Sequence, residues 1–193
     1  WDPYEDVGRL GAFDENGVGY PWLVEDGDRV LMYYVGWISG GLGGFINAPG
    51  LAIKRSGATA FERWSRAPLM QRTDEEPIAV GSLCVLREPG LWHMWYTSFD
   101  RWERHGDGLR HFYCIKYATS PNGTEWNRTG IRAIDFADEG EYAIGKPCVR
   151  RRGDRWQMWY SYRGEAYRIG YAESADGVHW ERMDAEAGIG PSD

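Results

Sequence analysis

Three acidic segments recur along the chain, each just ahead of an apolar stretch. Asp14 and Glu15 stand in GAFDENGVGYP. Asp74, Glu75 and Glu76 stand in QRTDEEPIAVGS, and Asp135, Asp138, Glu139 and Glu141 in IDFADEGEYAIGKP. Carboxyl groups can carry acid–base chemistry on a glycosidic bond, where one group donates a proton while another stays ionised. Burial and mutual repulsion can split their pKa values to suit. Aligned on the strands that follow, Asp14, Glu76 and Glu141 fall at the same end of three equivalent strands. If those strands surround one channel, the three carboxylates ring its mouth. Taken singly, each acid reads as part of a soluble connector, and only their recurrence in register suggests a site. Asp74 and Glu75 compete with Glu76 for the middle position.

The elements that must position these acids come from a pattern written three times. YPWLVEDGDRVLMYYVGW returns as GSLCVLREPGLWHMWYTSFD and again as KPCVRRRGDRWQMWYSYRG. Each copy is an apolar strand, a turn rich in glycine and charge, and an aromatic strand anchored at Met32 and Tyr34, Met94 and Tyr96, or Met158 and Tyr160. In the third copy Trp156, Met158 and Tyr160 alternate with Gln157, Trp159 and Ser161, the period of a β-strand. A second half follows each copy: LAIKRSGATAFERW, IKYATSPNGTEWNR and IGYAESADGVHWER, with tight turns such as Ala175 to Gly177. Repeats of this size built from short strands predict an all-β array, a β-propeller of four-stranded antiparallel blades. The blades are expected over about 20–67, 79–130 and 143–183 of a single domain covering 1–193. Between their second and third strands the first two copies carry insertions, Ile38 to Gly50 and Ser98 to His111, which read as long loops of the kind that build binding sites. About three full blades do not close a ring, so the array reads as incomplete. Its open edges would invite self-association as a homodimer or larger homo-oligomer.

Composition narrows the function. The chain has 193 residues, 11 tryptophans, 12 tyrosines and a net charge of −7. Most of the aromatic rings fall at fixed repeat positions and belong to the core, and the remainder could stack on sugars. The scattered basic residues argue against a nucleic-acid surface, and Arg150 to Arg152 belong to a hairpin tip. Cys84, Cys114 and Cys148 show no metal spacing and read as buried free thiols, which favours a reducing, cytoplasmic location. No apolar run reaches membrane-spanning length and no signal peptide is visible, although a start at Trp1 suggests that the true N-terminus is missing. The histidines form no site, Gly40 to Gly44 lacks the end of a phosphate loop, and no serine stands in a nucleophile elbow. Neither a metal nor a cofactor is expected.

The combination FD-x-x-GV-x-x-P, DGD, M-YY-GW and MWYS with IGYAES-DG-W-R resembles the five-bladed β-propeller glycosidases of glycoside hydrolase families 43, 32 and 130 and their relatives. The likeness covers nearly the whole chain and is closest to a bacterial glycosidase-like branch. It implies a carbohydrate-active protein, glycoside hydrolase-like if it is an enzyme, with a saccharide in a central acidic and aromatic funnel. It further implies Asp14 as base or nucleophile, Glu76 as the acid that tunes pKa, and Glu141 as general acid. Trp37 and Arg163 follow the second strands of their blades and would stand on the funnel wall, the one to stack on a sugar and the other to hold a hydroxyl or carboxylate. Lys146 is the third expected substrate contact. A non-catalytic sugar-binding module and an oligomerising scaffold are the alternatives.

Overall fold

The computed structural model describes residues 8–41 and 43–190. They form twelve strands and a single 3-10 turn, Asp184–Glu186. The first four strands, β1 (Gly17–Asp26), β2 (Arg29–Ser39), β3 (Phe45–Arg55) and β4 (Glu62–Arg63), make one antiparallel sheet in that order. The next four, β5 (Ala79–Glu88), β6 (Leu91–His105), β7 (Gly108–Ser120) and β8 (Asn127–Ile134), repeat the arrangement. So do β9 (Ala143–Arg152), β10 (Arg155–Arg163), β11 (Tyr167–Ser174) and β12 (Glu181–Arg182). A lone parallel bridge, Tyr113 to Ala143, joins the second and third groups into one eight-stranded sheet. The all-β expectation therefore holds. The first hairpin of each group turns on a glycine with positive φ, namely Gly27, Gly90 and Gly153. That conformation is open to glycine at little steric cost.

Alternation along the second strand of each group decides which neighbour it packs against. In β6, Trp92, Met94 and Tyr96 join Leu31, Tyr33, Leu51 and Ile53 of the first group in one core. The opposite face of the same strand sends Trp95 into a second core with Trp156, Met158 and Tyr160 of the third group. The middle sheet is thus buried on both faces, and Met94, Trp95 and Tyr96 are fully enclosed. The outer groups each keep one less covered face, where Met32 and Trp159 are only half-buried. Hydrogen bonds repeat along with the packing. Tyr33 donates its hydroxyl to the Gly123 carbonyl at 2.9 Å, and Trp95, one group later, donates its indole N–H to the Gly177 carbonyl at 2.9 Å. Both acceptors lie in Ser-x-x-Gly turns whose serine hydroxyl accepts the glycine N–H.

Two expectations are corrected. The insertion Ser98 to His111 is not a loop, because it lengthens β6 and β7 into a hairpin arm closed by Gly106 and Asp107. Its bridges run from Arg101–Phe112 to His105–Gly108. Most of Ile38 to Gly50 is likewise strand, since β2 runs to Ser39 and β3 begins at Phe45. A paired hairpin satisfies backbone N–H and C=O groups that a loop of that length would leave to water. The two arms meet through Phe45, whose ring lies 5.9 Å from Trp102 and 5.2 Å from His111. The second correction concerns the thiols: Cys84 and Cys114 are buried, but Cys148 is exposed on β9, across the ladder from the half-buried Trp159.

Candidate functional site

The three expected catalytic acids are all buried, and each is held inside its own group. Asp14 accepts from the Tyr34 hydroxyl at 3.1 Å and from Arg63 Nε at 3.0 Å. Glu76 accepts from Tyr96 at 2.9 Å, Ser98 at 3.0 Å and Arg128 Nη1 at 2.8 Å, with Lys116 Nζ at 3.0 Å. Glu141 gives both oxygens to Arg182, at 2.7 and 2.8 Å, and accepts the Ala137 N–H at 2.9 Å. The arginines are equivalent: Arg63, Arg128 and Arg182 stand on or at the start of the fourth strands β4, β8 and β12. The tyrosines are equivalent too, coming from β2, β6 and β10. In the third group Tyr160 bonds Asp184 at 2.5 Å, and Asp184 shares Arg182 with Glu141. The recurring acid–arginine–tyrosine clasp ties the segment before each first strand to the fourth strand of the same sheet. The signal for it was an aromatic-x-Arg triplet closing each repeat: Phe61-Glu62-Arg63, Trp126-Asn127-Arg128 and Trp180-Glu181-Arg182.

Electrostatics follow from these contacts. Burial opposes ionisation of Glu76, but Lys116, the Tyr96 hydroxyl and Arg128 outweigh it and hold the carboxyl below its usual value. Burial, reinforced by the charge of Asp14, pushes the Tyr34 phenol up to about 12. Burial and the adjacent carboxylates raise Tyr96 and Tyr160 likewise.

A different set of residues converges near the middle of the molecule. The first strands β1, β5 and β9 share an irregularity, with regular pairing interrupted between Gly19 and Trp22, between Val80 and Leu83, and opposite Trp159 to Ser161 on β10. The interruptions leave Tyr20, Ser82 and Lys146 out of the ladder at equivalent positions. All three line a cavity of about 630 Å³, together with Thr97, Tyr113, Ser161, Tyr167 and Arg168. Asn47, Tyr113 and Tyr167 are again equivalent, being the cross-strand partners of Trp37, Phe99 and Arg163. The cavity therefore sits where the three groups present the same positions to one another.

Its chemistry is aromatic, hydroxylic and cationic. The Lys146 ammonium lies 4.7 Å from the Tyr20 ring centroid. Tyr113 and Tyr167 share a hydroxyl–hydroxyl hydrogen bond of 2.9 Å, as do Ser82 and Thr97 at 3.0 Å. Tyr20 and Lys146 have φ of +53°, and no other non-glycine among the described residues is in the left-handed region. Such backbone costs on the order of 1–3 kcal/mol for a residue with a Cβ. Both residues precede a proline, Pro21 or Pro147, which has no N–H to give the ladder. Ser82 precedes Leu83 and is not left-handed.

Of the expected site residues, Lys146 lines this cavity. Asp14, Glu76 and Glu141 do not, and among the described residues no carboxylate does. Asp14 instead lines a separate groove beside Arg63. Trp37 packs on the first strand, its ring where a side chain at Gly17 would otherwise project and within contact distance of Gly19. Arg163 stands one residue behind the wall, its guanidinium 5.0 Å from the Tyr167 ring and 5.4 Å from that of Tyr142. Tyr20, Ser82, Tyr113, Tyr167 and Arg168 do not stand out in the sequence. The signal for the first two was the Gly-Tyr-Pro, Gly-Ser-Leu and Gly-Lys-Pro series at the head of the repeats.

No protein-family model matches the chain. It is 34% identical over 188 residues to the uncharacterized proteins MT1551 and Rv1502 of Mycobacterium tuberculosis. These matches take in 97% of this chain but only 62% of the length of those relatives. Among solved structures, a glycoside hydrolase superposes with a TM-score of 0.70 at 20% identity, covering 90% of this chain and 57% of its own. BT0996, solved as an RGII complex, gives 0.72 at 19%, covering 91% and 58%. A member of the GH130 family of mannoside phosphorylases and hydrolases gives 0.65 at 18%, covering 89% and 50%. The fold is therefore that of the propeller-like glycosidases.

Proposed function

We propose that this chain is a carbohydrate-active protein that takes a saccharide into the central cavity, and that its three strand groups are blades of a five-bladed glycosidase-like propeller. The carrying observation is the cavity itself, about 630 Å³ in volume, lined by Tyr20, Tyr113 and Tyr167 with hydroxyls and two cations beside them. Tyrosine faces pack against the C–H faces of sugar rings, while hydroxyls and charges read the hydroxyl groups. A saccharide-binding panel read by calorimetry tests this. Tyr20→Ala and Tyr167→Ala should each weaken the best ligand by roughly tenfold, taking an aromatic contact at about 1.4 kcal/mol. Absence of binding to any saccharide would remove the proposal.

Hydrolysis is the second reading, favoured by the glycoside hydrolase fold, with Asp14, Glu76 and Glu141 as its acids. It needs carboxyl groups about 5–5.5 Å apart for retention or about 6.5–9.5 Å for inversion. Both oxygens of Glu141 are committed to Arg182. We therefore rank binding ahead of bond cleavage for this chain and assign the three acids to its architecture. Release of aryl alcohol from an aryl glycoside panel, abolished by Glu141→Gln in a folded variant, would reverse that ranking. Self-association belongs to the same reading, through the outer faces of the first and third groups.

A further inference from the structure

We infer that the saccharide taken by the central cavity is anionic, its carboxylate, sulfate or phosphate group held by Lys146 and Arg168. The inference rests on the saccharide reading above and adds the class of ligand. Its first support is charge. The chain carries a net −7, yet its central cavity is lined by two cations and by no carboxylate among the described residues. Four arginines that line no part of this cavity are answered by acids: Arg63 by Asp14, Arg128 by Glu76, Arg132 by Asp100 and Arg182 by Glu141. Lys146 and Arg168 have no carboxylate partner among the described residues. Lys146 faces the Tyr20 ring and Arg168 donates to the Tyr167 carbonyl. Arg163 adds a third positive charge behind Tyr167, and its buried Nε has no hydrogen-bond partner.

The second support is backbone geometry and is independent of charge. Tyr20 and Lys146 occupy equivalent places in two different sheets, both at φ +53°, and both line the cavity. Strained non-glycine backbone persists where the surroundings over-determine it, and it concentrates at ligand sites. Here the two strained residues meet at the cavity as a cation over an aromatic ring. A sugar bearing an anionic group matches both halves: the ring packs on tyrosine and the anion meets the ammonium and guanidinium.

The test is calorimetric titration of the intact chain with trigalacturonic acid, a sulfated trisaccharide, a sugar phosphate and neutral maltotriose. One or more of the anionic probes should bind at least about tenfold more tightly than maltotriose at low ionic strength, with the margin shrinking as salt screens the contact. The probe that binds best identifies the anionic group. Lys146→Gln and Arg168→Gln should each weaken that probe by about tenfold, and by far more than they weaken maltotriose, while Arg152→Gln, exposed at the end of β9, alters neither. Lys146→Gly retains a left-handed backbone without strain. Its loss of anion binding with an intact near-ultraviolet spectrum separates charge from misfolding. Equal affinity for neutral and anionic probes, or variants without effect, overturns the inference and leaves saccharide binding standing. Failure of every saccharide overturns both.

Discussion

Removing Arg128 would leave Glu76, whose side chain is 4% exposed, without one of its two nearest cations. Breaking one side of a buried ion pair costs roughly 3–5 kcal/mol, far more than an exposed pair is worth. Lys116 remains on the other oxygen, so Arg128→Met should destabilise by roughly 3 kcal/mol in urea unfolding. Arg63 is 37% exposed, and water can partly replace it at Asp14. Arg63→Met should therefore cost less than Arg128→Met, and the reverse order would show that Glu76 does not anchor its sheet. Glu76 also sets a pH dependence. Its folded pKa is lowered, so in acid the unfolded chain takes up the proton first. The stability it contributes is present above the ordinary carboxyl value, about 4.3, and is lost as pH falls from there through the lowered folded value. Glu76→Gln should flatten that part of the stability–pH curve, whereas an acid limb identical to the parent's would exclude the group.

At the scale of elements, the hairpin arm of β6 and β7 reaches beyond the shared core. Its outer bridges carry mostly exposed side chains, from Arg101 to Arg110. What anchors the arm is a cluster: Trp102 lies 4.9 Å from His111 and 5.9 Å from Phe45 of the first group, and Phe45 lies 6.0 Å from Phe99. Aromatic pairs of this kind contribute about 0.5–1.5 kcal/mol each beyond their buried area. Trp102→Ala should lower stability by roughly 1–2 kcal/mol. It should also speed amide hydrogen exchange at 101–111 while the core strands β6 (91–98) and β10 stay protected. Uniform acceleration along the chain would mean that the arm is part of the global folding unit and not a local one.

At the scale of the molecule, the outer groups each expose a face that the repeat elsewhere buries. Met32 is the equivalent of Met94 and Met158, and Trp159 that of Trp95. The inner copies are fully enclosed while Met32 and Trp159 are half-buried. Each internal junction seats the Met-Tyr face of one group on the aromatic face of the group before it. The two outer faces are thus complementary to one another. A second copy turned by a two-fold axis would bring first group to third group twice, an isologous arrangement. Sedimentation of this chain at micromolar concentration is expected to give a homodimer, with Trp159→Arg and Met32→Arg each shifting it to monomer. A parent chain that sediments as a monomer removes the assembly.

The sequence alone determined what depends on neighbours in the chain. A period of two at Trp156, Met158 and Tyr160 marks a strand because side chains alternate across it. Gly27, Gly90 and Gly153 mark turns because they accept positive φ. Three copies of that pattern sufficed for an all-β repeat fold. Where the alternation fades the pattern misleads: residues 98–111 read as a loop because beyond Asp100 the arm is largely exposed on both faces and its strands carry no apolar stripe. Only the tertiary structure decided which partners the acids take. Asp14, Glu76 and Glu141 stand out by their recurrence. Their partners lie 49, 52 and 41 residues away, where the fourth strand of each sheet returns beside the first segment. The same folding left Tyr20, Ser82 and Lys146 free of the ladder and turned them toward one cavity. The recurring lead-in acids and the glycosidase resemblance suggest an acidic funnel, but charge in a folded protein is distributed by pairing. The arginines of the fourth strands engage the lead-in carboxylates, and the cavity is left to tyrosines, hydroxyls and the two cations that no described acid meets.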